Sequence, residues 1–587
     1  VNENTPLLNR IADALALVPR VRAFFCGLCF SILLILAFSP IGMWFLAPLI
    51  PVPLMILAHR PHCRAWTASI FAAAGSIPAW FWTHQWVFDV SVLGAPFLIL
   101  YLALWVGFYV LVAERLVRRF GSPWVTLAVV WGAVEFGRSV FLSGYPWYLS
   151  AHPLIESVTL SAPAGIGGFP LVTLFAAFVS SGITILMVSD RRVNALLEIT
   201  AVIVVWVSTG FVAIGLVTEG EDEIVVGIVQ PNIPQDNRMD WTERQRYSDW
   251  LMLRSLTEAS ALDPEVAPDV ILWPEGLTPG WTFDPVALEI ERSAGYGWKM
   301  EPDFPGDAPD LVVPRTIPAT RIVDELLEFQ AGIGIPMIVG GPTFHNLDIV
   351  KVQQGWIEYQ NDGIGNSAFL VEDGAISQTW YDKLHLTPFG EVMPVISRWD
   401  WLEQSLLSLG ASGMSFSIVP GDEPVVLEFE VDDRPEPVRA ATPICFEATI
   451  ASVCRELVFG GGERRADLLV NITNDGWFGF WDPGREAHLL TSRWRSVELA
   501  TPMVRSANTG FSCAIDTSGR VTAREITPLG DDPREGFLNT RVRLGSGSTI
   551  YARIGNLVGW GVFGIVGVGV IVSFLRKTSE PTPMSDQ

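Results

Sequence analysis

The chain carries two kinds of hydrophobic pattern. Up to residue 218 it runs in long apolar stretches with short polar or basic breaks between them. A helix needs about 20 apolar residues to cross a hydrocarbon core. Stretches near 23–38, 41–57, 65–82, 91–113, 124–142, 164–188 and 199–217 predict seven such spans, and an eighth, 556–575, contains no charged residue. The first two are short and divided by Ser39-Pro40, which predicts one helical hairpin. From 219 to 555 the pattern changes. Short β-branched runs appear at 224–230, 270–273, 336–340, 368–371, 440–444 and 468–472. Helical patterns at 242–260, 317–332 and 485–500 lie between several of them. Strands alternating with helices predict an α/β or layered α+β domain. The low-pattern stretches 276–316 and 400–424 read as lids or insertions.

Charge sharpens the division. The 587 residues are 50% hydrophobic, with mean hydropathy +0.35 and a net charge of −23. Residues 1–218 hold 11 Arg, no Lys and 8 acids, a net of +3. Residues 219–555 hold 26 basic and 52 acidic residues, a net of −26. A single soluble globule, a disordered chain and a basic nucleic-acid binder are all excluded. No nucleic acid is expected among the partners.

The basic residues also set an orientation. Arg10, Arg20 and Arg22 precede the first span. Arg60 and Arg64, Arg115, Arg118 and Arg119, then Arg191 and Arg192 fill alternate loops, and Arg576 and Lys577 follow the eighth span. The opposite loops, 39–40, 83–90 and 143–163, have no Lys or Arg. Positive charge is retained on the cytoplasmic side, so both termini are expected inside and 218–555 outside. The first span shows no small-residue cleavage pattern and reads as an uncleaved anchor. Trp80, Trp82, Trp86 and Trp147 fall where an outer aromatic belt is expected. Glu135 and Arg138, three apart inside the fifth span, are either a structural pair or part of a substrate path.

Three residues of the acidic part carry candidate chemistry. Glu275 ends the run ILWPE, Lys383 lies in WYDKLHLTPFGEVMP, and Cys445 follows a strand-like run in ATPICFE. A thiol needs a base, because the thiolate is the strong nucleophile. Glu275 is the candidate base, and Lys383 the candidate cation for an oxyanion. Taken singly, a solvated strand end, a surface lysine and a core cysteine are the bland alternatives.

The words around these residues occur in a fixed order: Trp273-Pro274-Glu275, Lys383-Leu384-His385-Leu386-Thr387-Pro388-Phe389-Gly390-Glu391, Ile444-Cys445-Phe446-Glu447 and Asn474-Asp475-Gly476-Trp477-Phe478-Gly479. Together they resemble the nitrilase, or carbon–nitrogen hydrolase, superfamily, with a Glu–Lys–Cys triad on an αββα sandwich. Flanked by eight spans, and with the membrane loop Gly144-Tyr145-Pro146-Trp147, the chain is similar to the apolipoprotein N-acyltransferase branch. The resemblance covers nearly the whole chain. It implies transfer of an acyl chain from a membrane phospholipid to the α-amino group of an S-diacylglyceryl-cysteine apolipoprotein, by a ping-pong route through a Cys thioester.

Residue by residue, the resemblance makes Cys445 the nucleophile, Glu275 the general base and Lys383 the oxyanion stabiliser. Glu391 matches a supporting carboxylate. Glu447 matches another, with a helix-start carboxylate as the alternative. Trp241, after Gln230-Pro231-Asn232-Ile233-Pro234-Gln235, matches a tryptophan near the active site. Trp477 matches an aromatic in a loop over the entrance; packing is the alternative for both. Phe446 stands where Tyr is frequent in the family, which leaves ring packing without a hydroxyl. The stretch 281–330 is longer and more acidic than the family pattern. His385 and His488 lie inside the motif regions, although the triad needs neither.

The expected layout is therefore 1–22 as a cytoplasmic segment, 23–218 as a seven-helix membrane domain and 219–552 as a nitrilase-like periplasmic catalytic domain. Residues 553–576 then form the eighth helix and 577–587 a cytoplasmic tail. The expected site is a multi-pass enzyme of the inner membrane, monomeric, with phospholipid, diacylated apolipoprotein and bilayer as partners. No cofactor or metal is expected; His59, His62 and Cys63 read as part of a solvated basic loop. Cys454 and Cys513 are candidates for a disulfide in an oxidising compartment. A membrane-anchored amidase acting on a small amide shares the triad but leaves eight spans unexplained. A non-enzymatic receptor or transporter explains the spans but not the triad.

Overall fold

The computed structural model describes residues 19–575 apart from 60–63, 93, 218, 235–242, 279, 295–296, 300–315, 319, 354–355, 389, 393–417, 433, 480 and 530–531. It divides into two units. One runs to Leu216 and resumes at Arg553, and the other is Val217–Ala552.

Six helices of the first unit, among the described residues, are long and apolar enough to cross a membrane: Pro19–Ala37, Gly94–Phe120, Pro123–Ser143, Phe169–Val188, Arg192–Leu216 and Leu557–Leu575. Two of the expected spans take another form. The 41–57 stretch is a 3-10 helix, Trp44–Leu49, followed by a short α-helix, Val52–His59. Each is about 12 Å long, against a hydrocarbon core of about 30 Å. Pro48, Pro51 and Pro53 remove three backbone donors and break the run. Irregular backbone is tolerated at such a place when protein surrounds it. Leu54, Met55, Leu57 and Ala58 are buried, and the Ser180 hydroxyl donates to the Pro48 carbonyl at 2.6 Å.

The 65–82 stretch is a 20-residue helix, Ala65–His84, less apolar than the other six. Its composition follows from its neighbour. Gly75 lies so close to the Pro19–Ala37 helix that a Cβ there would meet the Phe24 carbonyl oxygen at 2.1 Å, and one on Gly27 would meet that of Ala72 at 2.2 Å. Ser31 donates to the Gly75 carbonyl at 3.0 Å. Small residues allow this approach, and helix contacts in membranes are built on it. The expected 164–188 span begins only at Phe169, because Gly168, at φ +71°, separates it from the short helix Ala164–Gly167. The last helix, Leu557–Leu575, returns to the bundle: Arg115 donates to the Ser573 hydroxyl at 2.6 Å, and Trp560 meets Phe136 edge-on at 5.0 Å.

Glu135 and Arg138 are both buried, 3.6 Å apart. Glu135 accepts from the Ser150 amide and hydroxyl, each at 2.8 Å, and Arg138 donates to the Tyr148 carbonyl at 3.1 Å. The pair thus ties down the aromatic loop 144–150, which favours the structural alternative. Trp80 and Trp147 are buried too, not part of an exposed belt; the guanidinium of Arg138 lies over the Trp80 ring.

The second unit is built on two sheets. The strands of these two sheets are β1 Glu219–Gln230, β2 Val270–Leu272, β3 Met337–His345, β4 Gly363–Glu372, β5 Ala375–Asp382, β6 Val426–Phe429, β7 Val438–Ala441, β8 Leu468–Thr473, β9 Met503–Ala507, β10 Cys513–Ile515, β11 Val521–Ala523, β12 Thr527–Pro528 and β13 Gly536–Gly545. The first sheet runs β12-β13-β1-β2-β3-β4-β5 and the second β6-β7-β8-β9-β10-β11. Each has a parallel trio at its centre, β1-β2-β3 and β7-β8-β9, with antiparallel strands outside. The inner strands are mostly apolar, as burial on both faces favours, with Asn471 on β8 and Arg505 and Ser506 on β9 among the buried polar exceptions. The sheets meet where side chains are small: the Ser506 hydroxyl on β9 reaches the Val229 and Leu272 carbonyls at 3.4 and 3.3 Å.

Helices Glu243–Ala261 and Arg321–Ile333 cover the first sheet, and Ala451–Val458 and Asp482–Leu499 cover the second. The core under the first pair includes Trp250, Trp273, Leu326, Met337 and Phe369. The Arg321–Ile333 helix stops at Gly334, whose φ of +68° makes a left-handed cap, and the Gly334 amide donates to the Gln330 carbonyl. The layers are therefore helix, sheet, sheet, helix. Cys454 and Cys513 are both free and buried, so no disulfide joins them. Cys454 instead donates to the Glu447 carbonyl at 3.4 Å.

Candidate active site

Glu275 stands three residues beyond β2. The turn that carries it, Pro274-Glu275-Gly276, passes directly over Gly340 of β3. A Cβ on Gly340 would lie 2.9 Å from the Pro274 oxygen and the Gly276 nitrogen. Only glycine admits the turn at that distance, and the turn aims the carboxylate inward. Glu275 Oε1 accepts from Asn366 Nδ2 at 2.8 Å, and Oε2 from the Asn474 amide at 3.0 Å.

Lys383 follows β5 directly and is 1% exposed. Its amide donates to the Asn366 carbonyl and its carbonyl accepts from the Gly421 amide, both at 2.8 Å, so the backbone is fixed on two sides. Its ammonium donates to Glu391 Oε1 at 3.0 Å and lies 2.8 Å from Oε2. It also donates to Thr387 Oγ1 at 3.2 Å and lies 3.7 Å from Glu275 Oε1. Glu391 is held in turn by the Thr387 amide at 2.8 Å and by Asn366 Nδ2 at 3.2 Å.

Cys445 opens a 3-10 turn, Cys445–Thr449, after β7. Its φ is +51°, a left-handed conformation rare for a residue with a side chain. Glu447, fully buried in that turn, accepts from three donors: the Ile444 and His385 amides at 2.8 Å, and the Tyr381 hydroxyl, which lies 2.9 Å from each oxygen. It caps the turn and binds it to the end of β5, so the helix-start reading describes its contacts. No hydrogen bond joins it to Lys383 among the described residues; Glu391 alone of the two supporting carboxylates touches the lysine. Phe446 is buried and stacks on His385, with ring centroids 6.1 Å apart.

Trp477 lies in the one-turn helix Asp475–Phe478 and is 36% exposed, while Asp475 and Phe478 beside it are buried. Its indole is not part of the core. Trp241 lies outside the described residues, as does most of the 281–330 stretch between 295 and 315.

The charges are strongly coupled. Burial raises the Glu275 carboxyl above its ordinary value; Lys383 opposes this, Glu391 adds to it, and the Cys445 thiol hydrogen-bonds to the carboxylate. Burial would lower Lys383, but Glu391 and Glu275 outweigh it and hold the ammonium well above its ordinary value. Burial would raise Glu391, but Lys383 outweighs it and keeps the group ionised. Burial and the charge of Glu275 push the Cys445 thiol far up, and Lys383 only partly offsets them. Burial raises Glu447 to about 7 despite its three donors. The resting site thus holds a protonated thiol beside a carboxylate of raised basicity and a permanent cation. Such a set performs nucleophilic attack at a carbonyl with proton transfer at the moment of attack.

A family model described as carbon-nitrogen hydrolase matches residues 225–527. The chain belongs to the carbon–nitrogen hydrolase family. Within that family its membrane part also matches a model for the apolipoprotein N-acyltransferase N-terminal domain, over residues 30–182. Relatives similar along most of the chain are the apolipoprotein N-acyltransferases of Geobacter metallireducens and Rhizobium meliloti. The first is 25% identical, covering 96% of this chain and 97% of its own. The second is 27% identical, covering 87% and 89%. A third, from Agrobacterium fabrum, is 28% identical over 84% and 81%. The two models in sequence, and these relatives, make the chain similar to apolipoprotein N-acyltransferases, and it is an enzyme of the carbon–nitrogen hydrolase family.

Sequence reasoning did not single out Asn366, Tyr381, Asn471 or Arg505. Asn366 was legible in part, as a polar residue inside the strand run GIGNSAFLVE. Arg505, fully buried in β9, carried a comparable signal, since arginine is almost never buried without a partner.

Proposed function

We propose that this carbon–nitrogen hydrolase moves an acyl chain from a membrane glycerophospholipid to the N-terminal α-amino group of an S-diacylglyceryl-cysteine apolipoprotein, through a thioester on Cys445. Lipoprotein N-acylation is the activity of the family branch. The single observation that carries the mechanism is the convergence of Glu275, Lys383 and Cys445 within one buried hydrogen-bonded cluster, in a chain whose other unit contains six membrane-length apolar helices among the described residues.

In the first half-reaction, Glu275 takes the thiol proton as Sγ attacks the ester carbonyl carbon. The ammonium of Lys383 stabilises the oxyanion. Collapse of the intermediate expels the lysophospholipid alkoxide, which receives the proton from Glu275. In the second half, the α-amine attacks the thioester, Glu275 accepts the amine proton, and the thiolate leaves and is reprotonated. Glu391 keeps Lys383 charged, and Glu447 holds the Cys445 turn. Phe446, Trp241 and Trp477 contribute apolar and aromatic surface to lipid binding. Exclusion of water protects the thioester from hydrolysis.

The same reading puts residues 219–552 on the periplasmic side of an inner membrane, with both termini cytoplasmic. Counting Trp44–His59 and Ala65–His84 as crossings gives eight. The basic residues on alternate loops support that count, and a single chain contains the whole cluster, which supports a monomer. No cofactor enters the chemistry.

Incubation of the purified enzyme with phospholipid is expected to add one acyl mass to Cys445, which a diacylated lipopeptide then removes as the triacylated product. Transfer without an acyl adduct on the intact enzyme overturns the thioester route. Turnover of a small soluble amide with no lipid requirement supports a membrane-anchored amidase instead.

A further inference from the structure

Beneath the Cys445 turn lies a second buried cluster that the proposed chemistry does not use. It consists of Asn471 on β8, Asp475 and His488 from the helices beyond, and Arg505 on β9, all fully or almost fully buried. Arg505 Nη2 donates to Asp475 Oδ1 and Oδ2 at 2.8 and 2.7 Å, and Nη1 donates to Asn471 Oδ1 at 2.6 Å. His488 Nδ1 lies 2.9 Å from Asp475 Oδ1 and 3.0 Å from Arg505 Nη2. The cluster ends on one atom, the carbonyl oxygen of Cys445. His488 Nε2 reaches it at 3.3 Å and Asn471 Nδ2 at 3.3 Å, and Asn471 also donates to the Pro443 carbonyl at 2.7 Å.

We propose that His488 is a positioning residue for the nucleophile: with Asn471 it grips the Cys445 carbonyl and holds that residue in its left-handed backbone conformation. A residue with a Cβ persists at φ +51° only where its surroundings over-determine it. A carbonyl oxygen only accepts, so the grip requires a proton on Nε2. Two forms of the ring supply one: the neutral Nε2–H form, with Nδ1 accepting from Arg505, and the cation, with Nδ1–H donating to Asp475. The neutral Nδ1–H form would set two lone pairs against each other at 3.3 Å. Arg505 orients both halves of the grip, because it bonds Asn471 directly and meets His488 Nδ1 both directly, at 3.0 Å, and through Asp475.

The inference rests on Cys445 being the nucleophile, and the test separates the two. Full-length enzyme in phospholipid nanodiscs is compared with His488→Gln, His488→Asn and His488→Leu, and folding is checked by thermal melting. The readouts are the single-turnover rate of acyl addition to Cys445 by intact mass and KM for a diacylated lipopeptide. A glutamine amide nitrogen reaches the place of Nε2, and an asparagine amide reaches only that of Nδ1. Glutamine is expected to keep the acylation rate within about fivefold, while asparagine and leucine lose about 10- to 100-fold, with KM unchanged, as expected for a misplaced reacting group. Equal rates in glutamine and asparagine variants overturn the positioning role, as does a leucine variant at wild-type rate. If the leucine variant fails to fold, the glutamine–asparagine comparison decides alone. Absence of the adduct in the wild-type enzyme overturns the thioester reading; its presence in all variants at equal rate overturns only the inference about His488.

Discussion

The ammonium of Lys383 is bonded to Glu391, at 2.8 and 3.0 Å from its two oxygens, and stands 3.7 Å from Glu275. The difference assigns separate work to two carboxylates that look alike in the sequence. Glu391 balances the lysine. Glu275 is left free to accept a proton, with its basicity raised by burial and by the neighbouring charge of Glu391.

The pH dependence follows from those directions. In its proposed role Glu275 acts as base only when ionised, and its folded value is raised above the ordinary 4.5. The rate of Cys445 acylation is therefore expected to rise with pH through a value above 4.5. Lys383 is held above its ordinary 10.5, so it produces no falling limb below that pH. In Glu391→Gln the charge that raises Glu275 is gone and Lys383 pulls on Glu275 alone. The rising limb then moves to lower pH and the plateau falls about tenfold or more, as a weaker base implies. A limb that stays in place assigns the titration to another group.

Glu275 also sets the thiol. Its charge pushes Cys445 up, so Glu275→Gln is expected to lower the thiol pKa while acyl transfer falls by about 100-fold or more. Thiolate absorbance near 240 nm, titrated against a Cys445→Ala background, measures the first effect. An unchanged thiol titration shows that the carboxylate is not electrostatically coupled to the sulfur.

Asn366 Nδ2 donates to Glu275 at 2.8 Å and to Glu391 at 3.2 Å, one amide between two carboxylates. Asn366→Ala leaves two buried acceptors short of a donor, at a cost of about 1–3 kcal/mol in stability. Acylation should fall about tenfold or more through loss of alignment. Asn366→Asp, which adds a third negative charge, should be worse in both respects. Thermal melting and single-turnover acylation read the two effects.

In the membrane unit, Arg138→Met removes one partner of a buried ion pair and leaves the Glu135 charge with the Ser150 donors but no neighbouring cation. A loss of about 3–5 kcal/mol is expected. Thermal unfolding in detergent should show it at a site whose role is to hold the 144–150 loop. A melting temperature within a degree of wild type removes that role.

Trp477 is exposed, so Trp477→Ala should alter stability by no more than about 0.5 kcal/mol. If its surface meets lipid, KM for the lipopeptide or the phospholipid rises while melting is unchanged. A drop in melting temperature without a change in KM makes it a packing residue.

The sequence alone determined what depends on local order. Apolar runs follow from the hydrocarbon thickness they must cross, strand runs from burial on both faces, and the motifs around Glu275, Lys383 and Cys445 are contiguous words. The break at Pro48, Pro51 and Pro53 was written there as well, but hydropathy averages over it. Tertiary structure alone decided which groups meet. Lys383 pairs with Glu391 because the Thr387–Glu391 turn folds the chain back after β5, and Asn366 of β4 serves both carboxylates because it sits between them. Glu447 turns away from the lysine to bind three donors. Asn471, Asp475, His488 and Arg505 come from separate elements and form one cluster, of which Asn471 and His488 reach the Cys445 carbonyl. Pairing of this kind depends on distances across strands and sheets, and spacing along the chain does not encode them until the chain has folded.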